Sequence, residues 1–160
     1  PTPDRVRETL FNWLAAAVSG AHCLDLFAGS GALGLEALSR GAAGCDFVDR
    51  SGRACRQIEA HLGRLGANDR GHCLNTDAAA FLRAAHGPYD IVFLDPPFGH
   101  ELLAPACAGL AAGELLAPHA FIYIETGSDE ALPELPANWT LHREKRAGAV
   151  SYRLFVVDAR

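Results

Sequence analysis

The chain has 160 residues, 49% hydrophobic and 21% charged, which suits one domain with a substantial core and excludes a disordered or fibrous polypeptide. Its formal net charge of −5 runs against general attraction to nucleic acid, which rests on basic surface and counterion release. No apolar run approaches the roughly 20 residues of a membrane span and no segment has the order of a signal peptide, so a cytoplasmic protein is expected.

Thr2-Pro3-Asp4 reads as a helix N-cap, a proline at the first helical position and an acid in the first turn. Apolar residues at Val6, Leu10, Trp13, Leu14 and Ala17 share one face, so a leading helix is predicted over 2–18, ended by Gly20. Cys23 to Phe27 is a short apolar run of strand type, and Ala32 to Ser39 is helix-like up to Gly41. Cys45 to Val48 is strand-like, and Ser51 caps a helix with apolar positions at Ala54, Ile58, Leu62 and Leu65. His72 to Leu74 is a weaker strand, after which Asp77 can cap a helix through Phe81 and Leu82.

Ile91 to Leu94 is the clearest buried strand, followed after the loop by a helix over Leu102, Leu103 and Leu110 and a strand from Ala120 to Ile124. Strands alternating with helices imply a mostly parallel sheet covered on both faces, a doubly wound α/β fold. The tail departs from that rhythm: Trp139, Leu141 and Arg143 begin an alternating stretch, Gly148 can supply a turn, and Val150 to Val157 returns as an antiparallel partner. A single domain over 1–160 is expected, with a cofactor-binding half over 21–86 and a catalytic and substrate half over 89–160.

Cys23, Cys45, Cys55, Cys73 and Cys107 stand singly, without a C-x-x-C pair. They are expected to be small buried residues, neither disulfide-bonded nor metal-bound. The histidines lack metal-binding spacing, and no metal site is expected.

Gly29-Ser30-Gly31-Ala32-Leu33-Gly34 matches G-x-G-x-x-G between the first strand and the helix after it. Such a loop lets the backbone approach a ligand closely at a helix N-terminus, and it serves nicotinamide, flavin and S-adenosylmethionine sites alike. Asp49, ending the second strand, can accept both hydroxyls of a ribose. Asp25, inside the first strand, can brace the glycine loop or take the ammonium of an amino-acid-like cofactor, and Asp77 can accept from an adenine amine or simply cap its helix.

Asp95-Pro96-Pro97-Phe98 follows the buried strand, beyond whose carboxyl end the crevice of an open α/β sheet lies. The prolines remove two N–H donors, so the loop offers a carboxylate and carbonyl oxygens and suits an amine. Hydrogen bonds from an exocyclic base amine to Asp95 and the Pro96 carbonyl would aim its lone pair at a sulfonium methyl, with Asp95 taking the released proton and Phe98 stacking on an unstacked base. A rigid turn is the plainer reading of the same four residues.

Three segments together resemble the bacterial 16S ribosomal RNA guanine-N2 methyltransferases of the RsmD type. They are the run from Pro3 to Leu14 (PDRVRETLFNWL), the run from Leu24 to Ala42 (LDLFAGSGALGLEALSRGA), and Asp95-Pro96-Pro97-Phe98. The resemblance implies a class I, Rossmann-like methyltransferase sheet of seven strands with the last antiparallel. It implies S-adenosylmethionine as cofactor, held by Asp25, Phe27, Gly29, Ser30, Gly31, Gly34, Asp49 and Asp77, and catalysis by Asp95, Pro96, Pro97 and Phe98. The substrate it implies is one guanine of 16S ribosomal RNA, presented on a partly or fully assembled small subunit with ribosomal proteins. The leading helix, with Arg5 and Arg7 near its start, would close over the cofactor. Members of this type carry a basic hairpin ahead of that helix, and an upstream extension is expected here; they often have Glu where this chain has Asp49.

Arg143, Lys145, Arg146 and Arg153 in the terminal hairpin, with Arg40 nearby, are candidate RNA contacts, although such residues commonly just keep an edge strand soluble. Competing activities are adenine-N6 or protein-glutamine methylation through the same loop, a nicotinamide dehydrogenase, which leaves D-P-P-F unexplained, and a non-catalytic ribosome-assembly factor that binds RNA.

Overall fold

The computed structural model describes residues 2–84, 87–97 and 100–158, the His100 side chain excepted. In chain order its elements are α1 (Asp4–Trp13), β1 (His22–Asp25), α2 (Ala32–Ser39), β2 (Gly44–Asp49), α3 (Gly52–Arg64) and β3 (Gly71–Asn75). There follow α4 (Ala78–Arg83), β4 (Tyr89–Leu94), α5 (His100–Ala112), β5 (Leu116–Gly127), β6 (Trp139–Ala147) and β7 (Val150–Val157).

The strands form one sheet in the order β3-β2-β1-β4-β5-β7-β6. Strands β1 to β5 are parallel, and β7 runs antiparallel to both β5 and β6. This is the doubly wound class I methyltransferase arrangement, with the terminal hairpin at one side. No helix is long and apolar enough to cross a membrane among the described residues.

Side chains alternate across a strand, so each central strand feeds two cores. Ile91, Phe93 and Tyr123 pack with Leu10, Phe11 and Leu14 beneath α1, whereas Val92, Leu94, Ile122 and Ile124 pack with Leu103 and Leu110 of α5. Phe93 is level with Asp25 on β1 and with Tyr123 on β5. Two residues further along, Asp95 and Glu125 therefore reach the carboxyl edge of the sheet side by side, on the α1 face that Asp25 also occupies.

Three local expectations differ. The leading helix stops at Trp13 because the next turns tighten to i→i+3 bonds, Ala15 N–H to the Asn12 carbonyl and Ala17 N–H to the Leu14 carbonyl. Thr2 is not its cap: Pro3 holds that position without a side-chain bond, and the Thr2 hydroxyl points elsewhere. Cys55 and Cys73 pair as a disulfide, since packing α3 against β3 sets their Cα atoms 5.4 Å apart, while Cys23, Cys45 and Cys107 are free and buried. Ser51 and Asp77 do cap their helices, accepting from Ala54 N–H at 3.2 Å and Ala80 N–H at 2.7 Å.

Candidate active site

Where β1 lies between β2 and β4 the chain's winding reverses, and loops on either side diverge at the carboxyl edge. A cavity of about 1380 Å³ opens there. Asp25, Phe27, Gly29, Ser30, Asp49 and Asp77 all line it, and so do Asp95 and Pro97 from the loop after β4. Its far wall is apolar, formed by Leu82 of α4 with Leu102, Pro105, Ala106 and Gly109 of α5.

The glycine loop is held by the acids around it. Asp49 accepts Gly29 N–H through Oδ2 and Ser51 N–H through Oδ1, both at 2.8 Å, so it couples the loop after β1 to the cap of α3. Gly29 has φ +56°, and a Cβ there would meet nothing within 4 Å, leaving open space for close backbone approach. Gly31 and Gly34, expected to hold a cofactor, have a packing role in the structure. Neither lines the cavity; a side chain at Gly31 would run into Ile58, and one at Gly34 into the Phe47 ring and the Cys45 sulfur. They let α2 lie close on β2 and α3.

Asp25 is buried and accepts Gly34 N–H through Oδ2 at 3.1 Å. Burial raises its carboxyl to about 7, opposed by that hydrogen bond and reinforced by the charges of Asp95 and Asp49. Asp95 is also raised to about 7, by burial first and then by Glu125, with a hydrogen bond from Thr2 pulling the other way. Thr2 Oγ1 lies 3.3 Å from Asp95 Oδ2 and 3.1 Å from Glu125 Oε1, and the Tyr123 hydroxyl donates to Glu125 Oε1 at 2.7 Å. Pro96 is buried and does not line the cavity, Pro97 is exposed and does, and Phe98 lies outside the described residues.

Thr2 and Glu125 were missed in the sequence. Thr2 had a plausible local role as a cap, and its actual partners are remote in the chain. Glu125 carried a usable signal, a lone acid directly after the apolar run Ala120 to Ile124, whose Ile124 pairs with the Leu94 that precedes Asp95.

The basic residues are divided. Strand pairing places Lys145 beside Tyr152 and Arg143 beside Leu154 on the α1 face, but Arg146 beside Ser151 and Glu144 beside Arg153 on the other. Arg153 is paired with Glu144 at 3.0 Å and Arg146 donates to the Ser128 carbonyl at 3.4 Å. Arg40 pairs with Glu36 and lies 5.1 Å above the Phe11 ring, and Arg7 pairs with Asp4 and Glu36. Among the described residues no group of three or more His, Cys, Asp or Glu side chains could hold a metal ion.

The residues present fit S-adenosylmethionine. A cationic ligand would meet a wall carrying four carboxyl groups, a ribose diol would find acceptor oxygens at Asp49, and Gly29 leaves room for backbone contact. With that wall set at the switch point of this sheet order, the molecule is a class I S-adenosylmethionine-dependent methyltransferase. The family model described as conserved hypothetical protein 95 matches residues 1–156. The ribosomal RNA small subunit methyltransferase D of Escherichia coli (strain K12) is 49% identical over 159 residues, spanning 99% of this chain and 80% of that one. Its counterpart in Haemophilus influenzae is 43% identical over 97% of this chain and 81% of its own. A solved structure, a putative methyltransferase from Escherichia coli, superposes with a TM-score of 0.95 at 48% identity, covering 100% of this chain and 89% of the other. The chain belongs to the ribosomal RNA small subunit methyltransferase D family.

Proposed function

We propose that the chain transfers a methyl group from S-adenosylmethionine to the exocyclic N2 amine of one guanine in 16S ribosomal RNA of the small subunit. The observation that carries this reading is the Asp95 carboxylate, presented into the cavity at the end of β4 beside Pro97, in a loop whose two prolines lack N–H donors. The named activity of the 49% identical relative supports the ribosomal substrate, and the resemblance of the three sequence segments supports the guanine.

When bound, the cofactor supplies an electrophilic sulfonium methyl. Asp49 accepts its ribose hydroxyls, Asp25 faces its ammonium and Asp77 its adenine amine, each by charge-assisted or acceptor hydrogen bonding. Gly29 and Ser30 give the backbone its approach. On the substrate side, Asp95 Oδ and the Pro96 carbonyl accept from the two protons of the amine, whose lone pair is otherwise delocalised into the base. Held in this way, the nitrogen is pyramidal and in line with the methyl group, so catalysis is mostly alignment and electrostatics. Phe98 stacks on the extruded base, and Arg143 and Lys145 meet phosphate on the α1 face.

The test uses radiolabelled S-adenosylmethionine and small ribosomal subunits from cells lacking the enzyme, followed by nucleoside analysis. Label in N2-methylguanosine is the expected result. Label in N6-methyladenosine or in protein glutamine would replace the guanine assignment by that rival. Absence of label from every substrate, with cofactor binding intact, would favour a role in assembly without catalysis.

A further inference from the structure

Behind Asp95 the α1 face carries a second carboxylate for which amine binding has no use. Glu125 is buried at 7% exposure, follows Ile124 of β5 just as Asp95 follows its register partner Leu94, and is joined to Asp95 through one hydroxyl. Thr2 Oγ1 sits between the two carboxylates but has a single hydrogen, so it can donate to only one at a time. The other contact is a hydrogen bond only when that carboxyl carries a proton of its own. While Asp95 is ionised the Thr2 hydroxyl can donate to it and Glu125 keeps its bond from Tyr123; once Asp95 is protonated it can donate to Thr2 Oγ1, freeing the Thr2 hydrogen for Glu125.

We propose that Asp95, the Thr2 hydroxyl and Glu125 form a proton relay behind the reacting amine, with Thr2 and Glu125 acting through Asp95 as positioning residues. The inference rests on the reading of Asp95 as the group that holds the amine. As the nitrogen gains its bond to the methyl carbon it gives up one N–H bond, and that proton goes to the Asp95 carboxylate. Asp95 donates to Thr2 Oγ1 while the Thr2 hydroxyl proton passes to Glu125 Oε1, so one proton enters at Asp95 and one arrives at Glu125. Asp95 is left ionised, and Thr2 is left with one hydrogen, as before. The relay also gives a use to the burial of Thr2, two residues ahead of α1, whose hydroxyl does not cap that helix.

The titratable groups that face this cluster are Glu125 and Tyr123 from β5, Asp25 from β1 and, beside Glu125, Tyr152 from β7; Glu125 acts on Asp95 directly and Asp95 in turn on Asp25. Glu125 raises the Asp95 carboxyl and the Thr2 hydrogen bond lowers it. The two variants that break the relay therefore move Asp95 in opposite directions.

The deciding experiment is the single-turnover rate of methyl transfer to small ribosomal subunits as a function of pH. In the unaltered enzyme the rate is expected to rise as Asp95 ionises, with a midpoint of about 7. Glu125→Gln keeps an acceptor for Tyr123 and is expected to move the midpoint down; Thr2→Val is expected to move it up. Both should lower the plateau by about tenfold, and Thr2→Ser should restore midpoint and plateau. S-adenosylhomocysteine binding checks that each variant folds, and if Glu125→Gln fails that check the Thr2→Val and Thr2→Ser pair decides. Unshifted midpoints, or shifts in one common direction, in folded variants overturn the relay. If Asp95→Asn is inactive in that case, the amine reading survives the loss of the relay. Full activity of Asp95→Asn would remove both.

Discussion

The backbone N–H of Gly34 donates to Asp25 Oδ2 at 3.1 Å, tying the first turn of α2 to the end of β1. That bond exists because α2 approaches the sheet so closely that Gly34 has no room for a side chain against Phe47 and Cys45, both buried. Gly34→Ala is expected to destabilise the protein by about 1–3 kcal/mol through overpacking. Urea denaturation would measure it; a midpoint equal to that of the parent would show that α2 can lift off without cost.

Asp25 gives stability a direction with pH. Burial raises its carboxyl from 3.8, the value of the unfolded chain, to about 7 in the fold. Between those values the folded state binds more protons than the unfolded one, so stability falls as pH rises through that window and levels off above it. Asp95 contributes in the same sense. The urea midpoint of the cofactor-free protein should therefore decline between about pH 5 and pH 7. If an ammonium sits against Asp25, S-adenosylhomocysteine binding near neutral pH should release protons, visible as a buffer dependence of the calorimetric heat. Buffer-independent heat would separate Asp25 from the ammonium.

Asp49→Ala should weaken S-adenosylhomocysteine about 10- to 100-fold, the loss of charge-assisted hydrogen bonds. Transfer at saturating cofactor should suffer less. Part of the effect would come from the freed amides of Gly29 and Ser51, so the telling comparison is with Asp95→Ala, which should bind cofactor normally and lose transfer by orders of magnitude.

For Asp77 the capping and ligand roles can be separated. Serine caps helices about as well as aspartate, so Asp77→Ser should leave thermal stability within a few tenths of a kcal/mol and still weaken the cofactor if the carboxylate meets the adenine. Unchanged affinity with unchanged stability would reduce Asp77 to a cap.

Much of this architecture was legible in the chain. Ala32 to Ser39 and Val150 to Val157 stand in the structure at the bounds read from their apolar patterns, because glycines and caps punctuate them locally. The glycine loop and the Asp95-Pro96-Pro97 run drew attention to segments from which Gly29, Ser30, Asp95 and Pro97 line the cavity. The hidden parts are long-range. A threonine before a proline and an acid looks like a cap whether or not its hydroxyl reaches two other strands, and cysteine spacing cannot report that α3 will lay Cys55 on Cys73. The hairpin cations looked like one cluster because a bulge between Leu141 and Arg143, with the strand pleat, sorts them to two faces only after pairing.

That sorting has its own test. Arg143→Gln with Lys145→Gln should weaken binding to the ribosomal substrate and flatten its salt dependence, whereas Arg146→Gln with Arg153→Gln should do neither. Equal effects from both pairs would mean that the RNA wraps the hairpin edge.

Asp25, Asp95 and Glu125 share a face because three neighbouring strands keep the same parity. Substituting a letter in β4 or β5 leaves that parity alone. Inserting or deleting one residue would turn every later side chain of the strand over, sending Asp95 or Glu125 towards α5 and an apolar neighbour into the acid's place. Variation in this family should therefore be free to change length in the loops and edge hairpin, while β1, β4 and β5 hold a constant count of residues up to the carboxylate each one delivers.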